Sequence, residues 1–205
     1  MVVGCGQQPN AQADEPGKVV LMHPAGARSI VLGGGCFWCL EAAYELVPGI
    51  YDVESGYAGG DRQSPSYEQV STGLTGHAEV VKVYYDPTKI TLESIFDLFF
   101  KIHDPTTKDR QGGDRGTQYR SIVLYADDEQ KSASMAAIAK AQPKFTSPIV
   151  TQVEPLGAYW VAEDYHQDFY RKNPNYGYCQ AVVAGKVEKA KSFVDTFVPL
   201  DNPGK

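Results

Sequence analysis

Ser29-Ile30-Val31-Leu32-Gly33-Gly34-Gly35-Cys36-Phe37-Trp38-Cys39-Leu40-Glu41-Ala42-Ala43-Tyr44-Glu45-Leu46-Val47-Pro48-Gly49 changes period in the middle. Its first four residues are a short apolar run ended by three glycines, and they read as a strand. From Cys36 onward Phe37, Leu40, Ala43, Tyr44 and Val47 recur at spacings of three and four, which predicts a helix. Pro48-Gly49 stops it. A strand, a glycine turn and a helix therefore open the folded part of the chain, with Cys36 at the junction.

Downstream, residues 50–76 hold a strand-like piece, then Gly56-Tyr57-Ala58-Gly59-Gly60 and a polar loop with Pro65. Glu79 to Tyr85 predicts a stronger strand, closed by Asp86-Pro87. Thr91 is placed as the N-cap of a helix, with Ile90 packing on Ile95 as a staple and an apolar face of Leu92, Ile95, Phe96, Phe99 and Ile102. The polar stretch 106–118 has no apolar period and is long for an idle connection. Beyond it the pattern predicts a strand over 119–125, an Ala-rich helix over 127–141 and a strand over 149–155. An aromatic, acidic helix over 159–171 and a short helix near 185–196 complete it. The gaps are too irregular for a doubly wound sheet. The expected fold class is α+β, a two-layer α/β sandwich with a mixed sheet.

Residues 28–205 read as one domain and residues 1–27 as a flexible tether. In the tether, Val2-Val3-Gly4-Cys5 followed by polar residues resembles the end of a bacterial lipoprotein signal, with Cys5 as the lipid-bearing residue. No apolar region precedes it as the sequence is written. Two expectations stand: an envelope lipoprotein truncated at its processing site, or a cytoplasmic protein with an incidental thiol.

Composition narrows the function classes. The chain has 205 residues, enough for one domain with its own core. The net charge is -6 and the 19 basic residues are scattered, so there is no stripe to neutralise a nucleic-acid backbone. No apolar run approaches the roughly 20 residues that span a bilayer, and without coiled-coil heptads a monomer is expected. Four cysteines, Cys5, Cys36, Cys39 and Cys179, are too few for a disulfide framework. They also lack the second doublet of a four-cysteine zinc site, so no metal is expected. Thiol chemistry is the better reading. At a helix start a Cys36 thiolate faces unpaired backbone N–H groups and the positive end of the helix dipole, which lower the thiol pKa. The three glycines before it imply that something approaches the backbone closely. Phe37 and Trp38 either wall a pocket for an apolar group or fill the core of the first turn.

Gly35-Cys36-Phe37-Trp38, Gly56-Tyr57-Ala58-Gly59-Gly60, Gly76-His77-Ala78-Glu79, Gly116-Thr117-Gln118-Tyr119-Arg120-Ser121 and Asn175-Tyr176-Gly177-Tyr178-Cys179 occur in that order. Together they resemble the A-type peptide methionine sulfoxide reductases over about residues 29–180. The resemblance implies reduction of methionine (S)-sulfoxide, free or in proteins, with Cys36 attacking the sulfur. Glu79 matches the acid that protonates the oxygen, Tyr67 and Tyr119 match hydroxyls that hold it, and Asp114 matches a residue that shapes the site, beside Phe37 and Trp38. Cys36 would become a sulfenic acid, Cys179 matches the resolving cysteine, and thioredoxin or DTT would reduce the resulting disulfide. No bound cofactor is implied. The expected sandwich has a ferredoxin-like core and long Gly/Tyr-rich loops.

Two departures stand out. Cys39 takes the place of a glycine common in the family and creates a Cys36-x-x-Cys39 pair, so Cys39 is an alternative resolving thiol, a tuner of Cys36 or an inert neighbour. Gly113 replaces an Asn before Asp114. The rival function is a C-x-x-C thiol–disulfide oxidoreductase, in which Glu79, Tyr67 and Tyr119 would be dispensable. A metal module of Cys36, Cys39, His77 and Cys179 has poor spacing for zinc. A cysteine acyl-transferase would need His77, His103 or His166 as base, and the last two read as structural.

Overall fold

The computed structural model describes residues 24–201; Cys5 and the rest of the tether through residue 23 lie outside them. The elements are β1 (Arg28–Gly34), α1 (Phe37–Tyr44), β2 (Ile50–Ala58), α2 (Tyr67–Ser71), β3 (Ala78–Tyr85), α3 (Leu92–Ile102), β4 (Arg110–Gln111), β5 (Asp114–Arg115), β6 (Ser121–Tyr125), α4 (Asp128–Ala141), β7 (Gln152–Pro155), β8 (Tyr159–Val161), α5 (Phe169–Lys172) and α6 (Ala184–Val194). Six strands form a mixed sheet in the order β7-β6-β1-β3-β2-β8; only β6 and β7 run parallel, and β4 and β5 make a separate hairpin. The class is α+β, as the pattern predicts. Among the described residues, no helix is long and apolar enough to cross a membrane.

Alternation along β1 explains the layering. Ile30 and Leu32 join the main core with residues of α1, α3 and α6, while Val31 points the other way into a smaller cluster with Ala58, Val80, Ile122 and Leu124. β1 and β3 are central strands, and α1, α3, α4 and α6 pack with one another over the larger core. The predicted cap of α3 is present: the Ser94 N–H donates to Thr91 Oγ1 at 3.1 Å, and Ile90 and Ile95 are both buried. Asp127 caps α4 in the same way, accepting from the Gln130 N–H at 2.8 Å.

The stretch 159–171 is not one helix. Tyr159–Val161 pairs antiparallel with Gly56–Ala58, a single turn spans Asp164–His166, and α5 starts only after Asp168. Asp168 has φ +55°, which breaks any continuing right-handed helix. The aromatic and β-branched Tyr-Trp-Val run is taken by the free edge of β2, a partner that local periodicity does not register. Similarly, the strand expected from 119 begins at Ser121, because Thr117–Tyr119 forms a single 3-10 turn after Gly116. The helix expected near 185–196 is α6, entered through a π turn over Cys179–Val183.

Candidate active site

Gly35 has φ +97° and turns the chain from β1 into α1, which makes Cys36 the N-cap of the helix. A Cβ added to Gly34 would lie 3.1 Å from the Phe99 and His103 rings, and one on Gly35 2.6 Å from the Gln111 side chain. The approach implied by the glycine run is therefore made by the protein's own side chains. Around Cys36 lies a cavity of about 250 Å³, lined by Cys36, Phe37, Trp38, Tyr67, Glu79, Asp114, Tyr119, Tyr176 and Tyr178. Every predicted site residue lines it except Cys39 and Cys179, which are buried alongside.

Each wall is held by a different element. Glu79, at the start of β3, is 2% exposed, and its Oε2 accepts the Phe37 N–H at 3.1 Å. That bond ties the carboxyl to the first turn of α1. Tyr67 begins α2, which has a Ser66–Gln69 capping box, and the Tyr67 N–H donates to Glu163 Oε1 at 2.9 Å. Asp114 rides on the β4–β5 hairpin and accepts the Tyr178 hydroxyl at 2.6 Å. Trp38 stacks on Phe169 with centroids 3.7 Å apart and donates its indole N–H to His166 Nδ1 at 3.2 Å. The indole bond places the His166 proton on Nε2. Glu41 of α1 is buried, accepts the Phe169 N–H at 3.2 Å and the Ser55 hydroxyl at 3.1 Å, and so anchors the aromatic ring against Trp38.

Arg120 joins three of the loops. Its guanidinium donates to the carbonyls of Gly59 (3.2 Å), Gly76 (2.9 Å) and Thr117 (2.9 Å). Gly60 packs beneath the same junction, where a Cβ would stand 2.3 Å from the His77 N and 2.5 Å from Gly76 C and Thr75 O. Backbone cannot step aside as a side chain can. Gly60→Ala is therefore expected to cost about 3 kcal/mol, at the severe end of overpacking, whereas Gly113→Ala, with nothing within 4 Å, is close to neutral. Chemical denaturation of the two variants checks this; equal midpoints would contradict it.

The profile of the family described as peptide methionine sulfoxide reductase matches residues 28–196, which contain the whole cavity. The chain belongs to this family. The peptide methionine sulfoxide reductase MsrA 1 of Rhodopirellula baltica is 52% identical over 164 residues, covering 80% of this chain and 85% of that protein. Reduced Mxr1 of Saccharomyces cerevisiae superposes with TM-score 0.73 at 40% identity, covering 77% of this chain and 91% of that one. Mxr1 in complex with Trx2 superposes with TM-score 0.54 at 30% identity, covering 74% of this chain and 91% of that one.

In this reductase, burial pushes the Glu79 carboxyl up to about 8, with Asp114 and Cys39 adding to it and the Phe37 N–H opposing. Tyr67 and Tyr119 are raised by burial too, and both keep their phenolic protons at neutral pH. The thiols depart from expectation. Burial drives Cys36 well above its ordinary value, followed by the hydrogen bond with Cys39 and by Glu79, so desolvation outweighs the helix terminus. Cys39 is the sulfur held low, first by its hydrogen bond with Cys36, against its own burial, and then by Lys186 and the Tyr178 hydroxyl. Cys179 is raised by burial and then by Cys39.

Sequence reasoning passed over Tyr176, Tyr178, Lys186, Glu163, Glu41 and Arg120 as individual residues. The two tyrosines and Arg120 stand inside the quoted blocks, which was the available signal. Lys186 and Glu41 left none, because each acts through a packing partner distant in sequence. Of the histidines, His77 joins Gly60 to Arg62, accepting the Gly60 N–H at 3.2 Å and meeting the Arg62 carbonyl at 2.7 Å. His103 bridges Phe99 O and Ser121 Oγ.

Proposed function

We propose that this chain reduces methionine (S)-sulfoxide, free or within proteins, to methionine. One observation carries the reading: a carboxyl kept neutral near pH 7, Glu79, shares an aromatic-walled cavity with the Cys36 thiol. A sulfoxide sulfur becomes electrophilic as its oxygen gains a proton. Glu79 supplies that proton, the Tyr67 and Tyr119 hydroxyls donate hydrogen bonds to the same oxygen, and Phe37 and Trp38 receive the methyl group. The Cys36 sulfur attacks the substrate sulfur and passes its own proton to the Glu79 carboxylate. The sulfur–oxygen bond breaks, methionine leaves reduced by two electrons, and Cys36 keeps the oxygen as a sulfenic acid.

We assign the next step to Cys39, in place of the Cys179 that the sequence match favours. Cys36 caps α1 and Cys39 lies three residues on, on the same helix face, with its backbone N–H donating to the Cys36 carbonyl at 3.1 Å. Attack by the Cys39 thiolate forms the Cys36–Cys39 disulfide, and the oxygen leaves as water with the proton that Glu79 took from Cys36. Cys179, in the turn packed on α1, then exchanges with Cys39 and frees Cys36. The external reductant is a dithiol such as thioredoxin; the Mxr1–Trx2 complex supports this. DTT would serve in its place, and the scheme draws on no bound cofactor. The β6-β1-β3-β2 order with α1 and α3 as crossovers supports a ferredoxin-like core, and the stretch 173–178 between α5 and the turn before α6, which brings Tyr176 and Tyr178 to the cavity, supports a Gly/Tyr-rich loop at the site.

Rapid-quench mapping by mass spectrometry tests the order of events. Reduced protein mixed with one equivalent of methionine (S)-sulfoxide is expected to release methionine, to form Cys36–Cys39 first and Cys39–Cys179 later. Early Cys36–Cys179 would return the resolving role to Cys179 and leave Cys39 a tuner. Thiols that stay reduced, with no methionine formed, would end the reductase reading.

A further inference from the structure

A second cavity, of about 340 Å³, adjoins the catalytic one and shares Asp114 with it. It lies between the β4–β5 hairpin and the outer side of α6, and its walls include Gly112, Gly113, Gly185, Lys186 and Lys189. Three features set it apart from an ordinary surface dent. The glycines leave its walls bare: a Cβ added at Gly112, Gly113 or Gly185 meets nothing within 4 Å. Among the described residues Lys189 has no ion-pair or hydrogen-bond partner, although the chain is acidic overall at -6, whereas Lys186 acts on the Cys39 sulfur. The one carboxylate on the wall, Asp114, is turned to the Tyr178 hydroxyl.

A methionine sulfoxide inside a protein cannot enter the catalytic cavity alone; its chain must leave past the rim. The two cavities share Asp114 as a wall, so a chain that leaves the first on that side comes next to the second. We propose that it is a subsite for the polypeptide flanking the sulfoxide, and that Lys189 selects an acidic side chain there. Bare glycine walls accept backbone, and the unpaired Lys189 ammonium complements a carboxylate. This inference rests on the reading that the neighbouring cavity takes the sulfoxide side chain.

The substrate comparison uses DTT as reductant, so that docking of a protein reductant plays no part, and a parallel series uses thioredoxin. The substrates are blocked methionine sulfoxide methylamide, which is small and neutral, and blocked pentapeptides with the sulfoxide central and Glu or Lys at the flanking positions. The unaltered protein is expected to favour the Glu peptides over the Lys peptides in kcat/KM by about two- to fivefold per pair, the yield of an exposed ion pair. Lys189→Glu is expected to reverse the preference and to leave the methylamide rate unchanged. Gly185→Leu, which fills the cavity and improves the helix, is expected to lower kcat/KM for all the peptides and not for the methylamide. Equal use of Glu and Lys peptides, or a preference unmoved by Lys189→Glu, overturns the subsite. So does a Lys189→Glu effect confined to thioredoxin-driven turnover, which would assign the cavity to the reductant. If the methylamide itself is not reduced, the failure lies in the proposed function and not in the subsite.

Discussion

Glu79→Gln is expected to cut the single-turnover rate of methionine formation by about 100- to 10,000-fold, the usual contribution of a positioned general acid. Glutamine has the same shape and can still accept the Phe37 N–H, so the cavity and the bond that ties β3 to α1 survive. What disappears is the proton. The pH profile gives a second readout. Glu79 acts as an acid only while protonated, and burial has moved its loss of a proton up to about 8. The rate of the unaltered protein should therefore fall as pH rises through about 8, and the residual rate of Glu79→Gln should lack that limb. A variant with full activity would make Glu79 a buried carboxyl without a catalytic part, and the C-x-x-C oxidoreductase reading through Cys36 and Cys39 would take over.

The largest expected gain in stability comes from Glu41, which lies outside the cavity. Its carboxyl is buried in α1 and pushed up from 4.5 to about 8, chiefly by desolvation. Between those values the folded chain holds a proton that the unfolded chain has released. Stability is thus full below about 4.5 and declines as pH rises toward about 8, losing about 1.4 kcal/mol for each pH unit. On the order of 3 kcal/mol is gone by pH 7. Glu41→Gln removes the titration and keeps one acceptor, so a gain of about 2 kcal/mol at pH 7 is expected, and little or none at pH 4. Urea denaturation at the two pH values measures it. A variant that is less stable than the parent at both would mean that the paired bonds to Phe169 and Ser55 outweigh the cost of keeping the carboxyl protonated. In that case Trp38, whose ring stacks on Phe169, should also lose its fixed position, and substrate KM should rise.

Local pattern made much of the molecule legible. The β1–glycine–α1 passage, the Thr91 cap and the apolar face of α3 are written in neighbouring residues, and they fold as their spacing predicts. The five sequence blocks likewise pointed to the residues of the cavity, and the structure explains why they sit so far apart. Arg120 in one block holds carbonyls from two others, and Tyr178 in the last holds Asp114. Where the reading went astray, the deciding partner was remote. Tyr159–Val161 became a strand because the edge of β2 was open to it.

The sequence by itself therefore picked out the Cys36 thiol, the Glu79 carboxyl and the Tyr67 and Tyr119 hydroxyls that line the cavity, through the family resemblance, and the order of most elements, through short-range period. Only the tertiary structure decided the electrostatics. Whether Cys36 is lowered by its helix or raised by its burial, which sulfur of the pair carries charge, and whether Glu79 keeps its proton all depend on how much water and which distant charges surround a group. Those are properties of the packed whole, and no stretch of neighbouring residues contains them.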